Sequence, residues 1–158
     1  MKKIYNARGF FGIGIFQPKF EENIGTLWRH AYLYNASFVF VIGGRYKFQC
    51  TDTNKATNHI PLYHYETWED FKSNIPVNAQ LIAIELDDNS ECLSTFKHPL
   101  NSIYILGSEG CGLPRNIIDE CNYIVEIFSL KPQSMNVATT GTLVMYDRVI
   151  KLKGRCSE

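Results

Sequence analysis

The chain has 158 residues, with 16 Lys+Arg balancing 16 Asp+Glu, and is 45% hydrophobic and 20% charged. That length supports one domain over residues 1–158 with a sizeable core, and a zero net charge argues against a protein that grips nucleic acid by bulk electrostatics. No apolar run approaches the roughly 20 residues of a membrane span, and Met1-Lys2-Lys3-Ile4-Tyr5-Asn6 lacks the apolar core of a signal peptide. The five cysteines, at 50, 92, 111, 121 and 156, form no C-x-x-C pair. Reduced thiols, a cytoplasmic location and no metal site are the expectation.

In chain order, Phe10–Phe16 reads as a buried strand and 17–20 as a loop. Glu21 and Glu22 place acids at the positive end of a helix, whose apolar positions Ile24, Leu27, Trp28 and Ala31 recur at helical spacing to about Asn35. Phe38–Ile42 is a second strand, stopped by Gly43-Gly44. Residues 44–60 are polar and aperiodic, and read as a long surface loop. A short strand is expected over 61–65, a short helix carrying Trp68 and Phe71 over 66–74, and a strand over 80–86. Asn101–Gly107 alternates into β-favouring residues and reads as a buried strand. A glycine-rich turn, 106–114, follows it, and Pro114 opens a helix to Glu120. Another strand covers 123–128, and a last helix runs from Ser134, as its cap, to about Lys151. Strands alternating with helices imply an α/β domain with a mostly parallel sheet flanked by helices.

Three stretches carry side chains suited to chemistry. In the turn, Gly107, Gly110 and Gly112 let the backbone bend freely and approach a ligand. The turn lies where α/β proteins bind nucleotide-like molecules, yet it matches neither G-x-G-x-x-G nor the phosphate-binding loop with its lysine. Glu109 in its centre would repel a pyrophosphate and favours a ligand with a cationic part. The second stretch is Asn23-Ile24-Gly25-Thr26-Leu27-Trp28-Arg29, in which Gly25 and Arg29 share a helical face. By itself it reads as a capping Asn, a close-packed glycine and a solvated Arg. The third, Ser134-Met135-Asn136-Val137, reads by itself as an ordinary capped helix start after an irregular connection, 127–133.

In this order the three resemble the motifs of the SpoU/TrmH branch of the SPOUT methyltransferases: N-x-G-x-x-x-R, then [LF]-G-x-E-x-x-G-[LI], then S-[LM]-N-[VL]. The resemblance covers about residues 10–150, and Pro18 and the small size look like the stand-alone members that modify tRNA. It implies a C-terminal trefoil knot, S-adenosylmethionine as cofactor, and methyl transfer to a ribose 2′-hydroxyl of RNA. It also implies a homodimer with its active site at or near the interface. By carry-over, Gly107, Ile127 and Ser134 line the cofactor pocket, with Ile84, Glu85, Leu106, Gly112 and Met135 nearby. Arg29 is a positioning group for the ribose, or a base if bound RNA changes its proton balance. Asn23 supports it, and Glu109, Ser134 and Asn136 are the remaining polar members of the catalytic set.

Candidate RNA-facing cations are Arg8, Lys19, Arg45, Lys47 and Lys55, with Tyr46 and Phe48 as stacking aromatics. Thr139-Thr140-Gly141 departs from the small-residue continuation common in the family and lowers helix propensity. The 44–60 loop has no counterpart in the resemblance. The competing reading is a catalytically silent RNA-binding dimer on the same fold. A phosphate-ligand α/β enzyme is disfavoured by the missing lysine and by Glu109.

Overall fold

The computed structural model describes residues 9–44, 59–131 and 133–153. Its strands are β1 (Phe10–Phe16), β2 (Phe38–Ile42), β3 (Leu62–Tyr65), β4 (Gln80–Ile84), β5 (Glu91–Cys92), β6 (Asn101–Leu106) and β7 (Tyr123–Glu126). Its helices are α1 (Glu21–Leu33), α2 (Trp68–Asn74), α3 (Arg115–Glu120) and α4 (Val137–Lys153). The strands form one seven-stranded sheet in the order β3-β2-β1-β6-β4-β7-β5. Every ladder is parallel, including β1–β6 with Ile15 opposite Leu106 and β4–β6 with Ile84 opposite Leu106.

Parallel strands covered on both faces must be apolar on both, and the central strands here are. Alternate residues of one strand enter opposite cores. Ile13 and Ile15 of β1, Ile82 of β4 and Tyr104 of β6 meet Leu27 and Trp28 of α1 and Val144 and Met145 of α4. On the other face, Phe40, Ala83, Ile103 and Ile105 meet Phe71 of α2 and Ile117 of α3. Helices α1 and α4 lie side by side in the same direction, with Asn23 meeting Asn136, His30 meeting Thr142 and Tyr34 meeting Tyr146. A Cβ on Gly141 would lie 2.5 Å from Leu27 Cδ1, so this glycine sets how closely α4 approaches α1.

A buried polar cluster fastens α4 to the segment before β6. Arg148, 3% exposed, donates to the carbonyls of Pro99 and Leu100, each at 2.7 Å. His98 shares one hydrogen bond with Tyr104 Oη (2.6 Å) and one with Asp147 (2.8 Å). Burial pushes the His98 imidazole down to about 4, against the upward pull of Asp147.

The structure corrects several sequence expectations. Two-residue β5 has no expected counterpart, because a pair of residues carries no period. Helix α4 begins at Val137, not Ser134. Asn136 caps it, accepting from Thr139 N at 3.1 Å. Asn23 is not a cap either: α1 starts after Phe20, with no side-chain cap. Gly25, expected to be close-packed, has no heavy atom of the other described segments within 4 Å of where its Cβ would be. The 45–58 part of the polar stretch, with Arg45, Tyr46, Lys47, Phe48 and Lys55, and also Arg8, falls outside the described residues.

Candidate functional site

A cavity of about 490 Å³ opens where β4, β6 and β7 end, at the carboxyl edge of the sheet. This is the edge at which open parallel sheets bind ligands. Three segments build its wall. The first is Ile84–Leu86, leaving β4, and the second is Leu106–Gly112, the turn after β6. The third, after β7, contributes Ile127, Ser129 and the approach to α4 from Gln133 to Val137, with Thr140 one turn in.

The turn keeps its shape through two glycines. A Cβ on Gly107 would sit 2.5 Å from the Gly112 carbonyl carbon and 2.7 Å from Leu113 N, so only glycine fits against that backbone. Gly112 has φ +66°, and its Cβ would sit 2.5 Å from Glu85 Oε2. That position is closed both by its backbone conformation and by the carboxylate. Glu85 ties the turn to β4, accepting from Leu113 N at 2.8 Å and from Leu86 N at 3.1 Å. Ser108 O accepts from Gly112 N at 3.0 Å and closes the loop.

Glu109 joins the three sequence motifs. Its Oε1 accepts from the Asn23 amide, its Oε2 from Lys19 N at 3.1 Å, and Asn136 Nδ2 donates to Asn23 Oδ1 at 2.9 Å. The chain Thr139 N to Asn136 to Asn23 to Glu109 is therefore continuous, running from the helix cap into the turn. Partial burial pushes the Glu109 carboxyl up. The backbone N–H bonds from its own residue and Lys19, with the Asn23 amide and the Lys19 charge, outweigh this and hold it below the usual value.

All eight residues expected around a cofactor, Ile84, Glu85, Leu106, Gly107, Gly112, Ile127, Ser134 and Met135, line this one cavity. Glu109 and Asn136 line it as well, and Asn23 reaches it through both. Ser134 contributes to the wall but caps no helix. Arg29 is not brought to the cavity wall. It lies exposed on α1, with no hydrogen bond or ion pair among the described residues. Sequence reasoning missed Ser108, Ser129, Gln133 and Thr140 in the lining. Thr140 was visible only as a weak helix former, yet its hydroxyl donates to Asn136 O at 3.0 Å while the residue faces the cavity.

Among the described residues the lining contains no Lys, Arg or His, and two carboxylates. Such a wall suits a ligand with cationic groups and no phosphate, held largely by backbone and by apolar side chains such as Ile84, Leu106 and Ile127. The sheet, the glycine turn and the polar relay thus define an α/β domain with a small-molecule site at a sheet edge. A sequence model described as the SpoU rRNA Methylase family matches residues 11–146. The chain belongs to that family, and its architecture is that of the SPOUT methyltransferases.

Among solved structures, an AdoMet-bound rRNA methyltransferase from Sinorhizobium meliloti superimposes with TM-score 0.78 at 21% identity, over 94% of this chain and 59% of that one. A structure described as giving insights into 2-OH methylation of C/U34 on tRNA does so with TM-score 0.77 at 20% identity, over 93% and 99%. The TrmH/SpoU tRNA modifying enzyme of A. aeolicus gives 0.80 at 14% identity, over 95% and 79%. The chain therefore spans about three fifths of the Sinorhizobium protein and nearly all of the second structure. No curated protein sequence matches this one. Among the described residues no helix is long and apolar enough to cross a membrane.

Proposed function

We propose that this protein transfers a methyl group from S-adenosylmethionine to a ribose 2′-hydroxyl of RNA, with tRNA as the substrate class. The observation that supports the reading most is the cavity, walled by the second and third family motifs, with Asn23 of the first hydrogen-bonded to a residue of each, and with two carboxylates and no Lys, Arg or His among its described lining residues. The tRNA assignment draws on the tRNA descriptions of two similar structures, one of which this chain matches over nearly its whole length.

When bound, the cofactor would supply an electrophilic sulfonium methyl to the ribose 2′-oxygen, departing as its neutral thioether while the hydroxyl proton passes to solvent. Glu85 and Glu109 offer negative potential to a ligand's cationic groups. The 107–112 turn, whose Gly112 N and Ser108 O close on each other, brings its main chain to the cavity wall beside a ligand's neutral parts. Glu109 is a poor acceptor for the hydroxyl proton, because its carboxylate is held below the usual pKa and both oxygens already accept hydrogen bonds. Its role is to hold Asn23 and the turn in place. Arg29 is the member of the set that positions the ribose or its phosphate, and a guanidinium fork suits that task. Orienting the hydroxyl in line with the methyl supplies a large part of the rate in such a reaction.

The same reading includes a homodimer and a trefoil knot. For the dimer the support is on α4, where Leu143, Tyr146 and Ile150, 37%, 53% and 49% exposed, follow at helical spacing, and Leu33 of α1 is 68% exposed. Exposed apolar side chains in such a row suit the buried face of a dimer. Calorimetry with S-adenosylmethionine tests the cofactor: saturable binding supports the reading, and no binding at about millimolar concentration, where even a weak ligand registers, rejects it.

A further inference from the structure

An asparagine side chain holds one donor group and one acceptor, so two asparagines in a row give a hydrogen-bond chain a direction. Which atom is which follows from what each end faces. Thr139 N, a main-chain N–H that only donates, stands 3.1 Å from the Asn136 side chain, so the atom facing it is Oδ1. Asn136 therefore turns Nδ2 toward Asn23 and meets Oδ1 there at 2.9 Å. That leaves Asn23 Nδ2 for Glu109, whose ionised carboxylate only accepts.

The two ends agree, and neither amide can turn by itself. Turning Asn23 sets its nitrogen against the Asn136 nitrogen and its oxygen against the Glu109 carboxylate. Turning Asn136 as well sets an amide nitrogen against Thr139 N–H. The Thr139 hydroxyl, 3.4 Å from Asn136 Oδ1, donates or accepts equally well and decides nothing. Thr140 pins the backbone that carries the side chain, its N and Oγ1 donating to Asn136 O at 2.9 and 3.0 Å. At the far end Lys19 N donates to the second Glu109 oxygen at 3.1 Å.

We propose that Asn136 is a positioning residue for the cofactor cavity: it imposes one direction of hydrogen bonding on Asn23 and the residue at 109. The cavity needs that unbroken chain of bonds, and not a carboxylate at position 109 as such. This role rests on the S-adenosylmethionine reading above and deepens it. Residues 109 and 136 both line the cavity, so a carboxylate at either place presents its charge to the same space. A reversed chain is therefore available in the double variant Glu109→Gln/Asn136→Asp. Thr139 N donates to one oxygen of the new carboxylate, and Asn23, turned over, donates Nδ2 to the other. Asn23 Oδ1 accepts from the new amide at 109, whose oxygen accepts from Lys19 N. Every link is kept, the direction is inverted, and the net charge is unchanged.

The test is a double-mutant cycle in the full chain, with thermal melts and S-adenosylmethionine calorimetry on the wild type, the two single variants and the double. Glu109→Gln alone must set a donor against a donor, at Asn23 Nδ2 or at Lys19 N. Asn136→Asp alone sets an oxygen against Asn23 Oδ1, although Asp at a helix start is otherwise a favourable exchange. Each single variant should weaken S-adenosylmethionine binding about five- to tenfold. The double variant should melt about 3–8 °C above the sum of the two single shifts, and bind within about threefold of wild type. Single shifts that simply add in the double overturn the proposal. So does wild-type cofactor affinity in Glu109→Gln alone, which would mean that Asn23 turns freely. Recovered melting with affinity still lost overturns it as well, because the cavity would then require the carboxylate at 109 itself. Absence of binding by the unmodified protein is a different failure, one of the functional reading, and the four melting temperatures still test the direction of the chain in that case.

Discussion

Asn23→Asp isolates the link between α1 and the glycine turn. The substitution keeps the acceptor that meets Asn136 Nδ2 but turns the donor facing Glu109 Oε1 into a second carboxylate oxygen. Two unit charges about 4 Å apart repel by about 1 kcal/mol in water and by about 4 kcal/mol at an effective dielectric of 20. Glu109 is only partly buried, so a cost of about 1–2 kcal/mol at neutral pH is expected. One proton shared by the pair removes the repulsion, so the folded variant holds a proton that its unfolded chain has lost. Stability relative to wild type is therefore kept at low pH and lost as pH rises through the pair's raised value. Thermal melts from about pH 4.5 to about pH 8 should show a gap that opens by roughly 2–8 °C. Asn23→Ala, which adds no charge, should give a gap that does not widen as pH rises and that narrows only at the acid end, where Glu109 takes up its proton and the lost amide bond no longer matters. A pH-independent gap for Asn23→Asp, or none, refutes the relay as described.

His98 makes a second pH prediction. Its buried imidazole titrates at about 4 instead of 6.5, so the unfolded chain takes up a proton first and stability falls as pH drops from about 6.5 to about 4, by at most ~3 kcal/mol. Melts of wild type against His98→Gln should diverge in that window, and a constant difference would mean the residue is not held neutral. Gly107→Ala forces a Cβ against the backbone of Gly112 and Leu113 and should cost about 1–3 kcal/mol, together with cofactor affinity in calorimetry; unchanged values would show that the turn yields. Arg29→Ala, at an exposed position off the cavity wall, should abolish methyl transfer with S-adenosylmethionine affinity almost intact. Lost cofactor binding would misplace its role.

What the sequence revealed follows the range of the interactions involved. β1 and β2 are continuous apolar runs, and their bounds, 10–16 and 38–42, match the structure. Gly107, Gly112 and Glu109 stood out because a turn of that composition has few structural uses. Asn23 read as a helix cap because capping is the local option for Asn near a helix start. Its actual partners lie 86 and 113 residues away, and no local pattern encodes such distances. Ser134 reads as the cap of the last helix, whereas the helix begins at Val137 and Asn136 is its cap. Gly25 was the reverse case, since packed and open glycines look identical until the neighbours are placed. Thr140 and Gly141 read as a lapse in helix propensity, but one faces the cavity and the other admits Leu27.

The most direct measurement is incubation with unfractionated tRNA and methyl-labelled S-adenosylmethionine, followed by alkaline hydrolysis of the RNA. A methylated 2′-oxygen can no longer attack the adjacent phosphate, so its linkage survives alkali. The account predicts label recovered in alkali-resistant dinucleotides. Label appearing only in mononucleotides would mean a base is methylated, and no label in any RNA would mean that the cavity serves another reaction.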